Sequence, residues 1–471
     1  MGVLIKERCA SFITLRYVLL PHMIRKLLLL LIVTWQVFQA DALDLYTAYQ
    51  KALVYNAEYI KAQAQNQALI EQQNIAYAAL FPQISANASF SENYFNQSNG
   101  SAYYQQQNYY LQLNQVIFDF AKFSLYSKGK FASAVADLSL TNARQNLMLN
   151  VAQAYFELLY AEDTLLATRM TKKAFAEQLI QAQSAFHVGG VTNADVTDAQ
   201  AAFDAGRAQE LQDLNNLIYK RNLFHNLTGE DPTQVQALSE QIALNMPHPA
   251  TAEEWSQIAL QANLNILIAN KLLAMANQDL KIARSGHLPS LNLQALYQYQ
   301  GTLGLDTTNI TQQQSQAITT VPGSPLSSYA LGAVGLQLSV PIFSGGGVSA
   351  QVRQAIALYE SAQQQLIKVS RNTEQNIRNA FWQVQNGVSL VNAQKTALHA
   401  MKTKLSADQL AYKVGVRNSV DLVSAQKDYY KSFQTYQSSR YQYLYAEVQL
   451  EFLSGKLNDR FMQHINANLR H

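Results

Sequence analysis

Two stretches of this chain repeat one another. Phe186 to Gln200 reads FHVGGVTNADVTDAQ, and Tyr412 to Gln426 reads YKVGVRNSVDLVSAQ, an offset of 226 (412 − 186). At that offset Gly189 falls on Gly415, Asp195 on Asp421 and Gln200 on Gln426. In each, a helix pattern stops at a glycine, turns, and restarts with an acid just inside the next helix. Other matches extend the echo. Ala154-Tyr155-Phe156 coincides with Ala380-Phe381-Trp382 at the same offset, and Asn56 coincides with Asn263 and Pro82 with Pro289 at 207 (263 − 56). A chain that repeats in this way is one supersecondary order laid down twice, so its two halves must fold alike.

The order within a repeat follows from the hydrophobic period. A helical pattern over Leu43–Leu80 is broken by Phe81-Pro82, because proline removes a donor and clashes with the preceding turn. The period then changes to two. Ile84, Ala86, Ala88, Phe90 and Tyr94 alternate with Ser85, Asn87, Ser89, Ser91 and Asn93, Glu92 being the exception, as expected for a strand with one dry face. After an Asn/Ser/Gln-rich loop with Gly100, a second strand ends at Phe118, so the first hairpin spans 84–118. A helical period runs without proline over 121–187, and a return helix over 193–227. At 1.5 Å per residue the first of these is roughly 100 Å long, too long for an ordinary globular helix. The first repeat is therefore 43–230, followed by a linker, 231–250. The second repeat, 251–455, holds a helix, a hairpin over 290–343 with a long loop at Gly301–Ser328, a long helix over 348–412 and a return helix over 419–453; residues 456–471 form a tail.

Charge excludes one class of function. The net charge is +3, and residues 1–42 alone carry five bases (Lys6, Arg8, Arg16, Arg25, Lys26) against two acids (Glu7, Asp41). The rest of the chain is neutral and has no basic footprint for nucleic acid. The same N-terminal stretch reads as a secretory signal. Arg25-Lys26 precede the apolar run Leu27–Val33, and Ala40-Asp41-Ala42 offers a small-x-small cleavage site, with residues 1–22 an upstream extension. The single cysteine, Cys9, lies upstream of that run, so the expected mature chain has no disulfide and no lipid-bearing cysteine. No later segment is apolar enough to span a bilayer as a helix. An exported chain of this kind is periplasmic, secreted or a β-barrel.

Two strands of about ten residues per half suit a tilted bilayer crossing. Open sheet edges do not survive in hydrocarbon, and four strands cannot close a useful barrel, so strands must be pooled among subunits. Tyr94, Phe95, Tyr109, Tyr110, Tyr297 and Tyr299 suit an interfacial aromatic girdle. The alternative is a soluble β-layer beside a helical bundle.

With these turns and this order of elements, the chain resembles the TolC family of outer-membrane efflux proteins over about residues 43–455. The resemblance implies an α+β membrane protein: a homotrimeric twelve-stranded β-barrel, four strands per chain, continued by a long α-helical barrel. It implies an exit duct in the outer membrane for type I secretion or efflux. The partners implied are a periplasmic adaptor, an inner-membrane ABC or proton-driven pump and outer-membrane lipid, without a cofactor. Carried over from the family, Tyr412 and Arg417 are holding groups of a periplasmic gate, with Asp195 as their acceptor. A phenol and a guanidinium can both donate to one carboxylate. Asp421 is then a ring of acids at the constriction, the usual device for cation preference. The family's second acid is replaced here by Ser424, and an acid stands instead at Asp198 in the first repeat. Asp195 and Asp421 also suit helix capping.

Other chemistry finds no support. Gly345-Gly346-Gly347-Val348 lacks the Lys-Ser/Thr of a phosphate loop, the eight histidines form no metal motif, and His187 and His287 fall in turns. No catalytic constellation is expected. The rival readings are a periplasmic coiled-coil scaffold or adhesin, and a duct dedicated to drugs or metal ions.

Overall fold

The computed structural model describes residues 43–97, 100–232, 235–308 and 328–469. The expected signal segment, Cys9 and most of the Gly301–Ser328 loop lie outside the described residues. The first half runs α1 (Leu45–Tyr55), α2 (Ala57–Ala78), β1 (Gln83–Gln97), β2 (Gly100–Phe118), α3 (Phe120–His187) and α4 (Asn193–Thr228). The second runs α5 (Ala252–Ala262), α6 (Leu264–Ser285), β3 (Ser290–Thr308), β4 (Tyr329–Ser339), α7 (Gly347–Lys413) and α8 (Ser419–Ser454), and α9 (Asp459–Asn466) follows.

The stretch read as one helix from Leu43 is two. Asn56 leaves helical geometry (φ −67°, ψ 114°) and its side chain accepts from the Tyr59 amide at 3.0 Å, while Asn263 does the same for Asn265 and Ile266 at 3.0 and 3.3 Å. An asparagine side chain offers the backbone a local alternative to the helical bond, so each helix stops and a capped one begins. These breaks receive the ends of the return helices. Gly229 and Gly455 close α4 and α8 at φ +76° and +77°, and a Cβ on Gly455 would run into the Ala262 carbonyl. Gly455→Ala should therefore cost about 1–2 kcal/mol for the left-handed backbone and about 1–3 more for the clash. At Gly415, which has nothing within 4 Å, the same change should cost only the first of these, read as a smaller shift in denaturant midpoint.

The four strands form one antiparallel sheet in the order β1-β2-β3-β4. Registered pairs share a face, and one row is largely apolar: Ala86↔Leu111↔Tyr297↔Gly332 and Ala88↔Tyr109↔Tyr299↔Ala330 are two of its rungs, with Gln115 opposite Leu293, Gln107 opposite Phe90 and Glu92 opposite Gln105 toward its ends. Its large side chains, among them Ile84, Phe90, Leu111, Val334 and Leu336, are exposed in the single chain. Tyr110 is a correction to the expected girdle. It pairs with Asn87 and Gln298 and so belongs to the polar row, because successive residues of a strand face opposite ways. The side chain of Phe95 lies outside those described. Glu92 is accommodated by the Tyr103 hydroxyl at 3.0 Å and the Gln105 amide at 3.2 Å.

The strands also outrun the expected ten residues, with 15 in β1 and 19 in β2 and β3. Pairing continues to Gln97↔Gly100 through the segment read as a loop, since the ladder is made by backbone groups and needs no apolar side chain. At the other end β4 stops at Ser339, ahead of Pro341, which has no N–H to give.

Below the sheet, α3 is the central helix, packed by α1, α2, α4, α6 and α8. Its buried positions Met148, Val151, Ala152, Tyr155, Leu158 and Leu159 recur at helical spacing and share one core with residues of α1, α4, α5, α7, α8 and α9. Tyr155 is fully buried, and its hydroxyl points at the carbonyls of Leu43 (3.0 Å) and Gln236 (2.9 Å), tying the linker to the core. The C-terminal tail also belongs to this core. Met462 and Ile465 of α9 are buried, and Leu469 bridges Leu238. Among the described residues no single helix is long and apolar enough to cross a membrane.

Candidate gating site at the helix turns

Both turns have one backbone geometry. α3 ends at Val188 (φ −99°, ψ 7°) and α7 at Val414 (φ −94°, ψ 7°), and the next residues, Gly189 and Gly415, have φ +76° and +78°. The Gly190 amide returns to the Ala185 carbonyl at 2.8 Å, and the Val416 amide to Ala411 at 2.9 Å. This closure needs a left-handed residue, which costs anything but glycine about 1–2 kcal/mol.

The restarting helices are capped differently. Thr192 opens α4, where its hydroxyl accepts from the Asp195 amide at 3.3 Å. The Asp195 carboxylate accepts in return from the Thr192 hydroxyl (2.7 Å) and amide (2.8 Å). That hydroxyl first, and the amide second, hold the Asp195 carboxyl below the usual carboxylate range, so it is ionised at neutral pH. In the second turn Asn418 takes the capping bond from the Asp421 amide at 2.9 Å. The Asp421 carboxylate then faces the Arg417 guanidinium at 3.6 Å, and Arg417 reaches Asp408 at the same distance. Asp408 is buried, one turn before Tyr412 on α7. The Tyr412 ring packs on Leu405, Leu422 and Ala425, which seals α7 against α8.

Within one chain, therefore, Tyr412 and Arg417 are engaged in their own hairpin, and among the described residues no hydrogen bond or ion pair joins either to Asp195. Asp195 opens α4, which packs mainly on α3, as does α8. Asp198 is exposed one turn into α4, and Ser424 is exposed at the equivalent place in α8. Asp408, Thr192 and Asn418 were not singled out from the sequence. Thr192-x-x-Asp195 carries a visible capping-box signal, whereas Asp408 sits in an unbroken helix pattern with nothing to mark it. Among the described residues no group of three or more His, Cys, Asp or Glu side chains is placed to hold a metal ion.

The order of elements and the paired turns have a counterpart among known proteins. Residues 48–230 and 255–456 match the model of the family described as Outer membrane efflux protein. The chain belongs to the outer membrane efflux protein family. It is 31% identical over 434 residues to Outer membrane protein TolC of Escherichia coli K12, covering 91% of this chain and 86% of that one. With the proteases secretion protein PrtF of Dickeya chrysanthemi it shares 26% identity over 440 residues, 91% of each chain. Its fold matches the CmeC outer membrane channel of Campylobacter jejuni at a TM-score of 0.76 and 18% identity, over 91% of this chain and 90% of that one. This outer membrane efflux protein is accordingly an outer-membrane channel of the α+β type.

Proposed function

We propose that this family member is the exit duct of a tripartite system for type I secretion or efflux, gated at its two helix turns. Three copies pool their four strands into one twelve-stranded barrel and continue below it as a hollow helical barrel. A periplasmic adaptor docks on the helical tip, and an inner-membrane ABC or proton-driven pump supplies the energy. In this assembly the acceptor for Tyr412 and Arg417 is Asp195 of a second copy, while Asp421 and Asp198 line the entrance.

One observation carries the reading. A sheet with an exposed apolar face and two unpaired edges, β1 and β4, stands on helices of 68 and 67 residues. Such a sheet cannot persist in water or, with open edges, in lipid. A scaffold or adhesin gives no use for that face. The chain works as a passive conduit, not an enzyme, and its cargo is set by the pump and adaptor. The test is planar-bilayer recording from the purified, folded protein. Discrete, long-lived conductance steps are expected; folded protein that opens no channel would sink the duct.

A further inference from the structure

The linker between the two repeats lies on α8 as a strap, held at a few points. The Ser239 amide donates to the Asn468 carbonyl at 2.9 Å, the Ser239 carbonyl accepts from Arg440 of α8, and the Ala243 amide donates to the Asn468 side chain at 3.2 Å. Farther on, the Trp255 indole donates to the Pro249 carbonyl at 2.8 Å. Between Ala243 and Pro249, the hydrogen bonds among the described residues all meet at one group, the hydroxyl of Tyr443 on α8.

Tyr443 is buried, and three polar atoms surround its hydroxyl. The Asn245 amide donates to it at 2.8 Å, the Asn245 carbonyl lies 3.0 Å away, and Glu447 Oε1 lies 2.7 Å away. A phenol has one proton to give. With Glu447 ionised, the short charge-assisted bond takes that proton, and the Asn245 carbonyl faces the phenol oxygen without a hydrogen between them. With a proton on Glu447 all three contacts are satisfied. The carboxyl and the Asn245 amide donate to the phenol oxygen, and the phenol donates to the carbonyl. The cluster therefore favours a neutral Glu447. The first repeat has no such cluster, because at the offset of 226 Tyr443 and Glu447 fall on Leu217 (443 − 226) and Arg221 (447 − 226).

The surroundings favour the proton too. Burial pushes the Glu447 carboxyl up to about 7; the Tyr443 hydrogen bond works against this, and the Glu451 carboxylate one turn on adds to it. Glu451 is itself raised by burial and tempered by Lys456. Burial also raises the Tyr443 hydroxyl, which keeps its proton. Charged groups on the elements packed against α8 are paired with one another. Arg378 of α7 holds Glu253 of α5 and its own Glu374, Lys220 and Arg221 of α4 hold Glu157 and Glu162 of α3, and Arg144 of α3 holds Asp459 of α9. On the strap the titratable side chains are Glu240 and His248.

We propose that Glu447 is a proton-operated catch that fastens the inter-repeat strap to α8 through Tyr443. Protonated, it completes the bonds of the phenol to both backbone groups of Asn245. Ionised, it takes the phenol's proton and releases the Asn245 carbonyl. The fastened state holds its proton more tightly than an open carboxyl does. Its contribution is therefore complete below the ordinary carboxylate range and is lost as pH rises through about 7. The catch works within one chain and requires neither a channel nor a second copy.

The test is hydrogen–deuterium exchange of the purified full chain, read on the peptide that holds residues 243–249 and corrected for the intrinsic acceleration of exchange with pH. Protection is expected to fall roughly tenfold or more between about pH 5 and about pH 8 and to level off above that. Glu447→Gln places an N–H donor where the neutral acid has its O–H, so protection should stay high and flat with pH. Glu451→Gln removes a neighbouring negative charge and should move the midpoint to lower pH. His248→Gln should leave the wild-type step in place. A wild-type profile without a step overturns the catch, as does a step that survives Glu447→Gln or one that vanishes with His248→Gln. Should Glu447→Gln fail to fold, the other profiles decide alone: a midpoint that Glu451→Gln leaves unmoved overturns the assignment to this carboxyl.

Discussion

The Tyr412→Phe, Arg417→Ser double variant is expected to raise single-channel conductance severalfold, with smaller rises for each single change. Arg417 carries one positive charge, 3.6 Å from both Asp408 and Asp421. Its loss leaves the buried Asp408 carboxylate without that partner and places two acids near each other at the end of α7. Arg417 is itself half exposed, so solvent discounts the contact to about 1–2 kcal/mol per copy. In the proposed three-fold assembly this becomes roughly 3–6 kcal/mol. Turning an equilibrium from 1:99 to 99:1 takes about 5.5 kcal/mol, so three such losses are on the scale that opens a closed gate when the contacts are made in the closed state alone. Tyr412→Phe keeps the ring on Leu405, Leu422 and Ala425, so the hairpin stays packed and only a hydroxyl is lost. Asp195→Asn separates the two possible holders of Arg417. A rise in conductance identifies the acceptor on the second copy; no rise with Asp195→Asn and a rise with Asp408→Asn places the latch inside one hairpin. A folded double variant that conducts like the wild type would remove gating from these turns altogether.

The turns were legible in the sequence because their requirement is written in one residue type. A Schellman closure needs a left-handed residue, and Gly189 and Gly415 announce it at equal distance from their acids. The partners of Arg417 were not legible, since Asp408 lies nine residues earlier in a plain helix and is brought round only by the chain reversal. The strands were legible where one face is dry. At Tyr94-Phe95 two aromatics adjoin and only Asn96 and Gln97 follow, so the period of two vanishes, and backbone pairing continues unseen to Gln97. The helix breaks at Asn56 and Asn263 were hidden by good helix formers on either side, although the two asparagines already matched across the repeat. Propensity marked neither break; a side-chain oxygen satisfying the next turn's amides did. The α9 tail was missed because its apolar residues are few and its burial is entirely tertiary.

Leu111→Arg and Gln112→Arg, neighbours on β2, are expected to behave oppositely. Leu111 pairs with Ala86 and Tyr297 on the apolar row, while Gln112 pairs with Ser85 and Leu296 on the other row. If the apolar row meets lipid, an arginine near its middle costs about 2–4 kcal/mol, falling toward the interfaces. In the same barrel the polar row faces the aqueous lumen, so a new cation there should be solvated and the stability change should stay within about 0.5 kcal/mol. Denaturant unfolding of protein refolded into lipid vesicles reads the first effect, as does the yield of Leu111→Arg protein in outer-membrane fractions. The second variant should instead appear in the electrical record, as a shift of ion preference toward anions with stability preserved. A sheet packed against other protein rather than lipid would make both substitutions costly, because both rows would then be covered. A sheet wholly in water would make Leu111→Arg harmless or even favourable. Only a barrel wall separates the two neighbours by several kcal/mol in one assay and reverses their order in the other. That separation depends on register: a slip of one residue in the β2 pairing would exchange the roles of Leu111 and Gln112, and with them every other assignment of lipid and lumen along the strand.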